Sequence, residues 1–197
     1  KMGVVSLGPT GFSRGAPDIQ IISIAAGITT AHIEGKLHNR IKVIRAMPNI
    51  PARIGEGITA LTKGRFADSA DLKRAEGIFR VLGETVIIKN EGLFDAVTAL
   101  SGSGPAYFFF IFAAMLAAAE GLGLNRKDAN KLIYHTVIGS MGLLKREDFN
   151  AETLISKVAS KGGTTEAALK IFREKGLKNI LMEAIIAARN RAKEISR

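Results

Sequence analysis

The feature that most constrains this chain is a change of periodicity near residue 90. Before it, short apolar runs rich in Val and Ile alternate with amphipathic stretches; from Glu91 onward no convincing strand pattern remains. Residues 3–7, 19–24, 41–45, 57–61 and 84–88 read as strands. One helix, capped by Thr29, is expected to run to about residue 37, and another from about 68 to 82. Such alternation predicts an α/β layer with mostly parallel pairing. In the second half Ala129, Leu132, Ile133, Thr136, Val137, Ser140, Met141 and Leu144 follow helical spacing behind a candidate cap at Asn125, as do Leu177, Ile180, Leu181, Ala184, Ile185, Ala188, Ala192 and Ile195. The expected division is an α/β domain over residues 1–90 and an all-helical domain over 91–197.

Composition removes several classes of function. The chain has 197 residues, 47% of them hydrophobic and 23% charged, an ordinary balance for a soluble globular protein. It has no cysteine, which excludes disulfides, thiol nucleophiles and Cys-ligated zinc and fits a cytoplasmic protein. His32, His38 and His135 make no spaced cluster with carboxylates, so no metal site is expected. The strand-like start does not resemble a signal peptide. The net charge of +10 favours an anionic ligand. However, Lys170, Arg173, Lys175, Lys178, Arg189, Arg191 and Lys193 alternate with Glu166, Glu174, Glu183 and Glu194 along helical segments, the pattern of a solvated face, and no nucleic acid is expected. The apolar run from Pro105 to Ala119 falls short of the roughly twenty residues of a membrane span. It is expected as a fully buried core helix, with no membrane partner. The Ala-rich stripes of the helical half are expected to bury themselves in a homodimer or larger homo-oligomer.

Three segments carry chemistry. The opening turn approximates G-x-G-x-x-G with Ser6, Gly8 and Gly11 at the glycine positions. No acidic ribose reader follows at the right distance, and no amphipathic helix after Gly15 could carry a parallel crossover. The segment from Leu100 to Tyr107, with Gly102, Gly104 and Pro105, reads either as an interhelical turn over a core or as a tight loop presenting Ser101 and Gly102 to a ligand. Most informative is Ser160-Lys161-Gly162-Gly163-Thr164-Thr165. Adjacent glycines allow close backbone approach, and the helix behind them begins with unpaired N–H groups and positive dipole charge, a cradle for a small anion. Its plainer reading is a turn with a Thr N-cap.

Read together, Arg45-Ala46-Met47-Pro48-Asn49-Ile50-Pro51 with Gly55-Glu56-Gly57, then residues 95–107, then the Ser160–Thr165 bend resemble the pyrroline-5-carboxylate reductase family, in order and in suitable spacing from about Asp18 to the C-terminus. Residues 22–28 resemble the family's strand and turn on the cofactor side. The departures lie mainly at the front, where Ser6, Pro9 and Thr10 replace residues of the family's glycine turn and several strand–helix units are absent. A block is therefore expected to be missing near residues 15 and 16. Lys161 stands where the family commonly carries proline.

The resemblance implies a Rossmann-type dinucleotide-binding domain, incomplete in this chain, followed by an all-α substrate-binding and dimerisation domain. It implies hydride transfer from NADPH or NADH to the imine carbon of 1-pyrroline-5-carboxylate, giving L-proline. On this resemblance Ser160, Gly162, Gly163 and Thr164 hold the substrate carboxylate, and Thr165, the catalytic candidate, hydrogen-bonds the ring nitrogen. Glu91 is either a substrate contact or an exposed acid at a helix start. Ala25, Ala26, Gly27, Pro48, Asn49, Ser101 and Gly102 line the nicotinamide pocket, and Val5, Ser6, Leu7, Gly8, Pro9 and Thr10 meet the pyrophosphate. The alternatives are a related reductase of another imino or keto acid, and a helical oligomerisation protein without catalysis.

Overall fold

The apolar runs before residue 90 produce one five-stranded sheet. In the computed structural model, which describes residues 4–7, 19–37 and 40–195, its strands are β1 (Val4–Leu7), β2 (Gln20–Ser23), β3 (Lys42–Pro48), β4 (Gly57–Lys63) and β5 (Gly83–Ile87), neighbours in chain order. The pairing is mixed rather than mostly parallel. β1 with β2 and β3 with β4 run antiparallel; β2 with β3 and β4 with β5 run parallel. Connection length decides this. The parallel pairs are bridged by α1 (Thr30–Lys36) and α2 (Ser69–Phe79), whereas β3 returns to β4 through only a short 3-10 turn, Ile50–Ile54. β1 also pairs antiparallel with β2, Leu7 lying opposite Gln20.

β3 is the central strand, and Val43, Ile44, Arg45 and Ala46 along it are all buried. From α2, Leu72, Ala75 and Phe79 pack into one cluster with Ile22, Ile44, Ala46, Leu61 and Ala67. Asp68 starts α2 with a capping box: its carboxylate accepts from the N–H groups of Ala70 and Asp71, and its own N–H donates to the Asp71 carboxylate. The Asp71 N–H is the main cause holding the Asp68 carboxyl below its ordinary range. Buried Asp71 is neutralised by Lys42 at 3.3 Å and by Arg74. The helix ends at Phe79 and tightens into a 3-10 turn, Arg80–Leu82.

Among the described residues no strand follows Ile87. The helices are α3 (Phe94–Val97), α4 (Gly104–Gly121), α5 (Arg126–Arg146), α6 (Ala151–Val158), α7 (Thr164–Glu174) and α8 (Leu177–Ile195). Asn125 caps α5, its side chain accepting from the Asp128 N–H at 3.0 Å. The chain divides into two compact units, Lys1–Pro105 with Ala184–Arg197, and Ala106–Glu183. Residues 91–105, although helical, thus belong to the sheet-bearing unit.

In the second unit Leu116, Ala129 and Ile133 form a small core with Phe112, Ala119 and Val137, joining α4 to α5. No residue of α6, α7 or α8 is buried. The expected full burial of the apolar run is overturned: Phe108, Phe109 and Phe110 are 60%, 65% and 76% exposed. α4 is apolar on every side, while α5 covers only the face carrying Phe112, Leu116 and Ala119, which helical spacing aligns. The helical stretch Glu91–Gly121 also contains an 18-residue window of mean hydropathy 1.5, long and apolar enough to cross a membrane by length and composition alone.

Candidate active site

In open α/β sheets ligands collect beyond the carboxyl ends of parallel strands. Here β2 and β3 supply those ends, at Ser23 and Pro48. After β2, the Ala25 N–H reaches Ser23 Oγ at 3.4 Å and the Ile28 N–H reaches the Ala25 carbonyl at 3.4 Å, closing a turn through Ala25, Ala26 and Gly27. Thr29 then caps α1, accepting from the His32 N–H at 3.1 Å. After β3, Asn49 Oδ1 accepts from the Ile58 N–H at 2.9 Å, which pins the Pro48–Asn49 bend to the start of β4.

Ser101 and Gly102, read either as an interhelical turn or as a tight loop, lie within a helical turn. It is a π-helical turn, Thr98–Gly102, where the Ser103 N–H bonds the Thr98 carbonyl at 2.8 Å and Thr98 Oγ1 donates to the Phe94 carbonyl at 2.8 Å. Such turns insert one residue into a helix and recur at functional sites. Gly102 sits against β3: a Cβ there would come within 2.8 Å of Met47 Cε. The structure therefore brings Ser101–Gly102 to the Met47–Asn49 bend, both on the sheet-bearing unit.

Glu91 is neither a free acid nor open to solvent; its side chain is 23% exposed. Oε1 accepts from the Thr30 N–H at 2.8 Å and from Arg45 Nη1 at 3.2 Å, and Oε2 accepts from Thr30 Oγ1 at 2.6 Å. Arg45, 3% exposed, also stacks its guanidinium 4.7 Å from the centre of the Phe94 ring. Sequence reasoning passed over Arg45 and Thr30 as site residues. The readable signal was a lone Arg within an apolar strand, since a buried guanidinium needs an acceptor.

Val5, Ser6 and Leu7 are not brought to these loops. Leu7 pairs with Gln20, the first residue of β2, so the chain leaves β1 at the end of the sheet opposite Ala25–Gly27 and Pro48–Asn49. Gly8, Pro9 and Thr10, the expected break near residues 15 and 16, and His38 lie outside the described residues.

On the second unit, Gly162 takes φ +74°, a left-handed conformation that costs any side-chain-bearing residue strain. The Gly163 N–H donates to the Ser160 carbonyl at 3.0 Å, and Gly163 is the N-cap of α7, with no side-chain cap bond. The Thr N-cap reading is thereby replaced. The N–H groups of Thr164, Thr165 and Glu166 open the helix without an intrahelical acceptor. Ser160, Gly162 and Thr164 are exposed; Gly163 and Thr165 are half-buried. The bend already receives one carboxylate, since Glu166 Oε2 accepts from the Gly162 N–H at 2.6 Å. A separate open groove of about 760 Å³ along α5, lined by Leu124, Asp128, Lys131, Leu132, His135 and Thr136, contains none of the expected site residues. Among the described residues no group of His, Asp and Glu could hold a metal.

Residues 91–195 match the family described as pyrroline-5-carboxylate reductase dimerisation. The chain belongs to the pyrroline-5-carboxylate reductase family. The pyrroline-5-carboxylate reductase of Mycobacterium tuberculosis is 38% identical over 191 residues, covering 88% of this chain and 64% of that protein. That of Pseudomonas aeruginosa is 37% identical over 180 residues, covering 91% and 66%. The chain thus spans just under two thirds of the length of these curated relatives. Among solved structures, the Coxiella burnetii pyrroline-5-carboxylate reductase superposes with TM-score 0.85 at 38% identity, over 91% of this chain and 67% of that one. The Plasmodium falciparum pyrroline carboxylate reductase, solved with NADP bound, gives 0.86 at 29% identity, over 90% and 70%. The architecture is accordingly that of a Rossmann-type α/β domain followed by helices.

Proposed function

We propose that this chain acts as an NAD(P)H-dependent pyrroline-5-carboxylate reductase, working in the cytoplasm as a homodimer or larger homo-oligomer, with 1-pyrroline-5-carboxylate as substrate and L-proline as product. The observation that carries this reading is the uncapped start of α7 behind Gly162 and Gly163. It offers N–H groups to an anion, and the bend before it already takes the Glu166 carboxylate. The substrate carboxylate would bond there to the N–H groups of Thr164 and Thr165 and to Ser160. Thr165, half-buried, would place its hydroxyl against the ring nitrogen; a hydroxyl is a weak acid, so it orients the protonated imine rather than supplying the proton.

The reduced nicotinamide, when bound, supplies the hydride. The chain's own part is to position it, and Ala25–Gly27, Pro48–Asn49 and Ser101–Gly102 are suited to do so. The first two follow parallel strands and the third packs on Met47. Val5, Ser6 and Leu7 do not fit the pyrophosphate role in the same way, because β1 ends at the opposite end of the sheet. That observation favours a second reading, a helical oligomerisation protein without catalysis. Calorimetry showing no NADPH or NADH binding would establish it.

The domain assignments proposed are cofactor binding before residue 91, joined by Ser101–Gly102, and substrate binding and oligomerisation over the rest of 91–197. The exposed faces of α4 and α6–α8 are read as subunit-facing rather than lipid-facing, because the family matched over 91–195 is described by its dimerisation. The deciding experiment measures NADPH oxidation with pyrroline-5-carboxylate and with several keto acids for the wild type and Thr165→Ala. Losing one hydrogen bond to a charged ligand costs about 1.5–3 kcal/mol, so the variant should lose more than tenfold in kcat/KM for substrate and keep its cofactor affinity. Unchanged kinetics would remove Thr165 from the site, and preference for a keto acid would replace the substrate.

A further inference from the structure

We infer that Glu91 is a positioning residue that locks the two strand-end loops of the sheet-bearing unit through Thr30 and Arg45. The inference rests on the proposal above that these loops hold the nicotinamide. One carboxylate takes three donors, two from Thr30 and one from Arg45, reaching partners 61 and 46 residues away in the chain. Each partner is an anchor point. Thr30 is the first residue of α1 and directly follows the Ala25–Thr29 turn. Arg45 lies in β3, two residues before Met47 and the Pro48–Asn49 bend.

The chemistry suits a brace better than a substrate contact. The Thr30 N–H is one of the donors a helix start leaves unpaired, and a carboxylate there is favoured by the helix dipole as well as by charge-assisted bonding. Arg45 is a cation inside a central strand and would otherwise be buried without a counter-charge; its Nη2 has no partner even so. Three acceptor positions on Glu91 are filled, which leaves little capacity for a ligand. Phe94, fully buried three residues further on, covers the guanidinium and fixes the segment that carries Glu91. Loss of the carboxylate would free the α1 start and Arg45 together, and the loops beside them.

The test compares wild type with Glu91→Ala, Glu91→Gln and Leu72→Ala, the last a core truncation on α2 that reports plain destabilisation. Amide hydrogen exchange over residues 25–30 and 45–49 is read beside NADPH affinity by fluorescence titration and the two KM values. Glu91→Ala should speed exchange over both segments and weaken NADPH, each by roughly tenfold or more, with substrate KM changed by less than about threefold. Glu91→Gln keeps an acceptor for Thr30 but loses the charge facing Arg45, so it should fall between; it decides the matter if Glu91→Ala does not fold. Leu72→Ala should lower Tm without singling out either segment. The inference is overturned by exchange at wild-type rates in the Glu91 variants, or by a rise in substrate KM alone, which would return Glu91 to the substrate. Wild-type protein that binds no NADPH would sink the reductase proposal instead; the exchange data judge the brace independently of it.

Discussion

The two compact units solve the problem of burying apolar surface in opposite ways. The sheet-bearing unit encloses its core: Val43, Ile44 and Leu61 are wholly inaccessible, and α2 closes over Ile44 and Leu61 with Ala75 and Phe79. The helical unit has a small core between α4 and α5, and α6 and α7 bury no residue at all. Large apolar side chains stay open on it, among them Phe109, Phe110, Leu122 and Phe172. An exposed apolar area of this kind marks an interaction surface. The lesson is that one unit encloses its core within a single copy of the chain, whereas the other leaves large apolar faces open on its own.

Substitutions can break that comparison. The largest effect is expected from Phe79→Ala in the closed core, about 3–5 kcal/mol of stability, measured by urea unfolding. Its midpoint should not depend on how dilute the protein is. On the open unit, Phe110→Asp should weaken self-association by about 2–4 kcal/mol, the range of a buried aromatic anchor, and sedimentation should show monomers where the wild type is assembled. Wild-type assembly in that variant would remove α4 from the interface.

Smaller changes sharpen the contrast. Gly162→Ala forces a side chain into the left-handed region at a cost of about 1–2 kcal/mol; substrate KM should rise while NADPH affinity holds. An effect on cofactor instead would reassign the bend. The smallest is a pH effect on the closed unit. The Asp68 carboxyl is lowered from its ordinary 3.8 in the folded state. Its cap therefore contributes fully above that value and is lost as pH falls through the lower folded one. Thermal melts of wild type should show this acid sensitivity, and Asp68→Asn should flatten it.

Much of this was legible in residues 19–88, where short apolar runs alternate with capped amphipathic stretches. Thr29, Asp68 and Asn125 all cap helices near the positions their sequences suggested. What could not be read arises from tertiary context. Strand direction depended on how much chain lay between strands, and the short β3–β4 connection made an antiparallel step that apolar runs do not encode. The burial of α4 was illegible because an apolar helix in a core and one awaiting a partner have the same composition. The bend at Gly162–Gly163 was legible as a glycine turn ahead of a helix from its residues alone. Glu91 was legible as a substrate contact or an acid at a helix start; its two hydrogen-bond partners lie too far off in the chain to be read from the sequence.

That distance has a consequence for biosynthesis. All five strands have been translated by Ile87, while the carboxylate that ties Thr30 to Arg45 arrives four residues later. Among the described residues, the strands of the sheet thus all precede, in order of synthesis, the side chain that joins Thr30 to Arg45.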